Sequence, residues 1–379
     1  MAANVPQIDP LEGLQSHLAA QLGRSDREDA FDLDDRPEME ALAPFGPLAK
    51  ALRFLDETIR EPWQLANDTA KQHQKRHRRL ASVAIITGGT SVALAIIQLA
   101  LLKSWTELKD WAALLEGIAV VAGLIAVVVG LGAKFDRHWL LQRHLAQRLR
   151  MLKFQSLART ELWCGDEAKW QDWVRAEVEA LKHTDSFKQV KEWSGVGKTA
   201  PETAVPANCG ATPEQVRALA AYYACKRLKF QSAYFLRQSE RYRRRVWHWP
   251  HLGLPLFFLS VLAVLLHFLA EYVGPREYNA GRAAVAHFWE LVAIWGVAAA
   301  ALIPVLSFGV RAWFSAFELP RSASLFAAKH YALDHAAAHA PEDTPDLAAT
   351  LRHIAQNEHF LEHELREWLR LLLEAEWFL

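Results

Sequence analysis

Leu80 to Leu102 reads LASVAIITGGTSVALAIIQLALL, and Ala112 to Ala133 reads AALLEGIAVVAGLIAVVVGLGA. Each stretch holds eleven Leu, Ile and Val and one strongly polar side chain, Gln98 in the first and Glu116 in the second. At a rise of 1.5 Å per residue, about twenty helical residues cross a hydrocarbon core roughly 30 Å thick. Each large aliphatic residue favours insertion by roughly 0.3 to 0.6 kcal/mol, so each stretch gathers several kcal/mol. Against this, Glu116 costs at most about 2.5 to 3.5 kcal/mol, and less near an interface. Insertion wins in both, and only the short polar connection 103–111 separates them, so the pair reads as a membrane hairpin.

The argument extends to residues 251–273 and to Ala283–Val310, a second hairpin joined by 274–284. Lys and Arg orient both. Nineteen lie in the flanks 71–79, 134–153, 237–245 and 311–329, against four in the connections 103–111 and 274–284. Arg78, Arg79, Arg137, Arg148, Arg243, Arg244 and Arg245 are the prominent flank cations. Positive residues stay on the cytoplasmic side, which predicts cytoplasmic termini and a cytoplasmic central region. Trp105, Trp111, Trp247, Trp249 and Tyr272 stand where interfacial aromatic belts occur. The predicted fold class is all-α, a polytopic membrane protein with four transmembrane helices in two hairpins and a cytosolic helical region.

Outward from the hairpins, residues 1–38 read as a polar, loosely held N-terminal arm. Residues 39–79 read as amphipathic and basic helices, with Leu42, Phe45, Leu48, Leu52, Leu55 and Ile59 at three- and four-residue spacing. That face suits packing on other cytosolic helices, because its cations are too few for a membrane-surface helix. Cytosolic helices follow at 134–193, with Trp170, Val174, Val178 and Leu181 on one face of the second. Residues 194–211, with three Gly and two Pro, form a linker. Thr212-Pro213-Glu214-Gln215 opens a basic helix over 212–250 with a capping-box pattern. After the second hairpin (251–310), C-terminal cytosolic helices fill 311–379, broken at 341–345.

The totals exclude more than they assign. Among 379 residues, 43 Lys and Arg balance 43 Asp and Glu, so no net field attracts nucleic acid. Three cysteines, Cys164, Cys209 and Cys225, show no CxxC spacing; they argue against a disulfide framework and fit a reducing compartment. The first residues carry no secretory signal pattern, so the first span is expected to direct insertion. Placing Gln72 on Gln238 aligns Arg78-Arg79 with Arg244-Arg245, and Glu116 can be placed on Glu290, which suggests a duplicated unit with parallel topology.

Phe135-Asp136-Arg137-His138-Trp139 after the first hairpin, then Arg143 and Ala146-Gln147-Arg148-Leu149-Arg150, resembles the SLATT group of bacterial two-helix membrane modules. Tyr242 with Arg243–Arg245, and Glu364 with Trp368, extend the resemblance over scattered positions. Gln147 stands where a glutamate is expected, and Pro320 interrupts the corresponding place in the second copy. The resemblance implies an effector of bacterial conflict or antiphage defence in the inner membrane, a homo-oligomer acting as a pore. Its trigger would come from a separately encoded nucleotide-signal sensor.

Glu116, Glu290 and Gln98 are the pore-lining candidates: a carboxylate in an apolar span is neutral, faces water, or meets a partner. The competing reading puts each glutamate near the non-cytoplasmic interface, bonding to headgroups or across helices. Gly117, Gly123, Gly130 and Ala126, with Ala119 and Ala122, permit close helix approach, within the hairpin or between subunits. Gly296, Ala300 and Pro304 mark the fourth helix similarly, and Pro304 can kink it. Ser194–Thr199 imitates a phosphate loop but has Glu192 in place of its first glycine and no preceding strand, so it is rejected. His335 with His339, and His359 with His363, have zinc-compatible spacing, yet alanine-rich and charged helices collect such pairs by chance. No metal, cofactor or catalytic constellation is predicted. The expected function is signal-dependent permeabilisation; the alternative is a non-conducting membrane anchor that docks a soluble partner.

Overall fold

The computed structural model describes residues 9–22, 36–101, 106–183, 209–247, 253–316, 319–339 and 346–374. Among these residues every regular element is a helix. In chain order they are α1 (Pro10–Leu22), α2 (Arg36–Leu42), α3 (Gly46–Leu101), α4 (Thr106–Ala133), α5 (Phe135–Leu157), α6 (Thr160–Trp163) and α7 (Glu167–His183). Then come α8 (Pro213–Tyr223), a π-helical turn (Ala224–Lys229), α9 (Phe230–Trp247), α10 (Gly253–Asn279), α11 (Ala283–Ala316), α12 (Leu319–Ala338) and α13 (Leu347–Glu374). Packing divides the chain into two units. One comprises Met1–His73, Asp136–Ser239 and Leu325–Glu376; the other comprises Gln74–Phe135, Glu240–Ser324 and Trp377–Leu379.

The first unit has an ordinary apolar core. The face read from the sequence at Leu42, Phe45, Leu48, Leu52, Leu55 and Ile59 is buried throughout. It is carried by two helices, because residues 43–45 turn the chain before Gly46-Pro47 opens α3 with proline in its first turn. The N-terminal segment corrects the expectation of a loose arm. Residues 10–22 form α1, and Leu14 and Leu18, one helical turn apart, are 0% and 1% exposed. Leu11, a turn earlier, packs partly buried against the same core, so a short leucine face docks a helix that its polar neighbours disguise.

At the α6–α7 corner Gly165 takes φ +91°, a left-handed conformation that glycine adopts without steric cost. Trp163 donates its indole N–H to the Leu157 carbonyl at 2.9 Å, and Trp170 donates to the Ser156 carbonyl at 2.8 Å. Trp170, Val174 and Val178 are all buried. The expected helix start at Thr212 is present in full: its Oγ1 accepts from the Gln215 N–H, and the Gln215 side chain accepts from the Thr212 N–H. Most of the predicted linker 194–211 lies outside the described residues; Cys209, Gly210 and Ala211 lie within them.

The cysteines require a second correction. Cys164 and Cys209 form a disulfide across a sequence separation of 45, leaving Cys225 as the free cysteine. An odd count permits one bridge and a remainder. The sequence argument weighed number and spacing, whereas a bridge needs only two Cα atoms within reach, here 4.4 Å apart.

Four helices are long and apolar enough to cross a membrane, the stretches being Gly46–Leu99, Asp110–Ala133, Pro255–Asn279 and Ala283–Arg311, and all but the first part of Gly46–Leu99 belong to the second unit. The chain is a multi-pass membrane protein with these helices paired as two hairpins. Their outer faces show large apolar side chains, among them Ile86, Ile118, Leu124, Phe257, Leu265 and Phe308. Bilayer hydrocarbon is as apolar as these side chains, so hydrophobic burial does not bring such helices together. Close packing does. Accordingly Ala112, Ala119 and Ala126 are buried at seven-residue spacing on α4, as are Ala263 and Ala270 on α10.

Candidate functional site

Each hairpin closes along a strip of small and polar residues at alternating four- and three-residue spacing. On α4 the strip is Ala112, Glu116, Ala119, Gly123 and Ala126. A Cβ on Gly123 would stand 2.8 Å from Thr87 Oγ1 of α3. Gln98 Nε2 donates to Glu116 Oε2 at 2.5 Å. Two of the three pore-lining candidates therefore meet each other inside the first hairpin. Gly117 and Gly130 have open space around them, so Gly123, Ala119 and Ala126 are the small residues that close the strip.

On α10 the corresponding strip is Ser260, Ala263, His267, Ala270 and Gly274, facing Trp289, Ala293, Gly296 and Ala300 of α11. Ser260 donates to the Ala300 carbonyl at 3.2 Å, and His267 Nδ1 lies 3.0 Å from the Ala293 carbonyl. Since a carbonyl only accepts, that ring nitrogen carries the proton. A Cβ on Gly296 would press within 3.1–3.2 Å of the Ala263 carbonyl oxygen and of Cβ and N of His267. Pro304 lies further along α11, inside the helix. Glu290 falls one position off this strip. It is exposed, with His287 Nδ1 3.6 Å away. One residue is about 100° of helix, so Glu290 and Glu116 do not occupy equivalent places as the sequence alignment supposed.

His267 was missed by sequence reasoning. The signal was available, as a lone imidazole in the apolar run 253–270, where ionisable side chains are rare and tend to be functional. Its backbone-bonded ring ties α10 to α11, much as Gln98 and Glu116 tie α3 to α4.

The first unit assembles a different site around α13, whose Glu358, Glu362 and Glu364 each meet a cation. Arg227 donates from Nε and Nη2 to the two Glu358 carboxylate oxygens, both at 2.7 Å, and Tyr223 donates its hydroxyl at 3.1 Å. Arg227 and Glu358 side chains are 2% and 1% exposed. The π-helical turn helps: its wider backbone brings Lys226 and Arg227, adjacent in sequence, both into the interior. Lys226 pairs with Glu38 of α2 at 2.5 Å. Glu362 accepts from Arg148, Arg366 and Gln155. Lys329 of α12 lies 3.8 Å from Glu364. Arg148, read as a membrane-flank cation, is thus committed to α13. Arg78, Arg79, Arg137, Arg243 and Arg244 are exposed, and Arg245 lies in α9 with the last two.

Charge and burial compete here. Burial pushes the Glu358 carboxyl up, opposed by the Arg227 guanidinium. Burial also acts to raise Glu362, but Arg148 and Arg366 outweigh it and hold that carboxyl below its ordinary range. Burial, reinforced by the same two arginines, drives His144 down to about 3, so its ring is neutral. Burial lowers Lys329 and raises Glu364. Such an array binds helix to helix. It presents no nucleophile paired with a base.

Among the described residues no group of three or more His, Cys, Asp and Glu could hold a metal ion. The His335 and His339 rings stack at 4.1 Å, and His339 Nδ1 lies 2.8 Å from the His335 carbonyl. The rejected phosphate-loop look-alike at 194–199 lies outside the described residues.

A family model described as a protein of unknown function, DUF4231, matches residues 61–169. The matched region takes in the later part of α3, all of α4, α5 and α6, and the start of α7, and so contains the first hairpin with its flanking helices. No curated protein and no solved structure matches the chain.

Proposed function

We propose that this chain is a SLATT-like effector of the bacterial inner membrane that permeabilises the bilayer as a homo-oligomer when a cytosolic signal arrives. In this reading both termini and residues 134–250 face the cytoplasm. The partner delivering the signal is a separately encoded nucleotide-signal sensor, and the setting is conflict or antiphage defence. The observation that carries it is the distribution of side chains in the hairpins. Large apolar residues face outward while the polar ones, Gln98, Glu116 and His267, are turned to the helix pair. Rearrangement of such a pair brings polar groups to a new surface within the apolar layer, and polar groups at that depth line water paths. The charge-held α13 provides an element that a cytosolic signal can release.

A second reading, a non-conducting anchor for a soluble partner, is favoured by one observation: Gln98 satisfies Glu116 inside the hairpin and leaves that carboxylate engaged. Induced expression with a potential-sensitive dye separates the two. Growth arrest with collapse of membrane potential supports the effector, and a partner-dependent phenotype at full potential supports the anchor. In liposomes, Glu116→Gln/Glu290→Gln should change ion selectivity; unchanged conductance and selectivity removes these carboxylates from any conducting path.

A further inference from the structure

We propose that Cys164 and Cys209 form a reversible thiol–disulfide exchange site through which the redox state of the cytoplasm is written onto the first unit. The inference shares its cytoplasmic topology with the proposed function but does not depend on permeabilisation. Two observations meet in it. The two cysteines are bonded, and in the proposed topology, drawn from the cation asymmetry of the sequence, residues 134–250 lie in a compartment that keeps thiols reduced. Disulfides in that compartment are transient: they form when oxidants rise and open when dithiols recover.

The bridge is not needed as a staple. Small secreted domains use disulfides because their cores are too small, whereas this unit buries Trp163, Trp170, Phe154, Tyr222 and many leucines in one core. Both residues are half-buried rather than sealed in the interior, Cys209 packing against the edge of the core. Cys164 caps α6 and is followed by the left-handed Gly165. Cys209 stands three residues before the Thr212 N-cap. Closure therefore clips the root of α8 to the tryptophan-anchored α6–α7 corner, and α8 leads into the turn whose Lys226 and Arg227 hold Glu38 and Glu358. Cys225 stands apart: burial raises its thiol pKa, which disfavours the reactive thiolate.

The chemistry balances by exchange. One cysteine thiolate attacks a sulfur of a low-molecular-weight or protein disulfide, forming a mixed disulfide and releasing one thiolate. The second cysteine then attacks the protein sulfur of that mixed disulfide, closes the 164–209 bond and releases the second thiolate. Two protein thiols and one external disulfide become one protein disulfide and two external thiols. A dithiol reverses both steps.

The test is thiol trapping of the full-length chain in intact cells with a membrane-permeant maleimide mass tag. Three tags are expected at rest and one, on Cys225, after exposure to 2-hydroxyethyl disulfide, with return to three after the oxidant is washed out. Cys209→Ser should carry two tags at rest and should not lose both on oxidation. Three tags under every condition overturn the proposal. So does a single tag that neither dithiothreitol nor recovery raises, since that describes a static bridge. A single tag that a membrane-impermeant phosphine opens from outside intact cells overturns both the exchange site and the cytoplasmic topology. Loss of the flux activity alone, with the tag pattern as expected, removes the effector reading and leaves this site standing.

Discussion

Replacing Glu358 with leucine leaves the Arg227 guanidinium, 2% exposed, without its carboxylate. Tyr223, fully buried beside it, loses the acceptor of its hydroxyl. Breaking a buried pair by removing one partner costs about 3 to 5 kcal/mol, chiefly for the charge left stranded. At 1.4 kcal/mol per tenfold, that raises local opening roughly a hundred- to several-thousand-fold. Arg227→Met/Glu358→Leu should recover most of the loss, because an apolar pair of similar volume avoids desolvating either ion. Hydrogen exchange of the detergent-solubilised full chain reads this directly, since backbone amides of α8 and the π-helical turn report opening of that region. Protection over 213–230 should fall by the stated factor in Glu358→Leu and return to within about tenfold of the parent in the double variant. Peptides from α10 and α11 should not change. If Glu358→Leu alters protection less than tenfold, or the double variant opens as readily as the single one, the pair does not hold α13 in place.

Gly296→Ala should destabilise the second hairpin by about 1 to 3 kcal/mol, since its Cβ meets backbone atoms of α10 rather than a yielding side chain end. Gly117→Ala has open space and should be neutral or mildly stabilising. Unfolding of the full chain in mixed micelles of increasing sodium dodecyl sulfate compares the two, and equal effects would refute the close-approach strip. His144 predicts an acid-side loss of stability. Its folded pKa of about 3 lies below the ordinary 6.5, so between those values the unfolded chain binds a proton that the folded one refuses. Stability therefore falls as pH drops below 6.5, by about 1.4 kcal/mol per unit once well below it. Glu362, held low by Arg148 and Arg366, adds its own loss only at more acid pH. His353, also lowered by burial, loses stability in the same direction, and the raised Glu358 and Glu364 oppose it. The share of His144 is therefore read by comparing parent and His144→Gln melting temperatures at pH 6.5 and 5: the variant should lose much of the parent's difference, and one that keeps all of it sinks the assignment.

The spans, the Thr212 helix start and the buried face from Leu48 to Ile59 were legible without coordinates, because each rests on neighbours within a few turns of one helix. Hydropathy adds along a segment, a capping box closes over four residues, and an amphipathic face repeats with the helix's own period. The same logic failed for α1, where Leu11, Leu14 and Leu18 make a short apolar face among polar neighbours, and for the bridge between Cys164 and Cys209, whose partners are 45 residues apart. Glu116 and Glu290 looked alike as carboxylates in apolar runs. Rotation of α4 and α11 about their own axes turns one onto Gln98 and leaves the other outside, and that rotation is set by which small residues of the facing helix permit close approach. Arg227 could not be matched to Glu358 from its sequence neighbourhood either, since 131 positions separate them. A chain's local chemistry says where helices run and which side is apolar. Which charged group meets which, and which polar residue turns inward, depends on contacts between helices that only three-dimensional packing brings together.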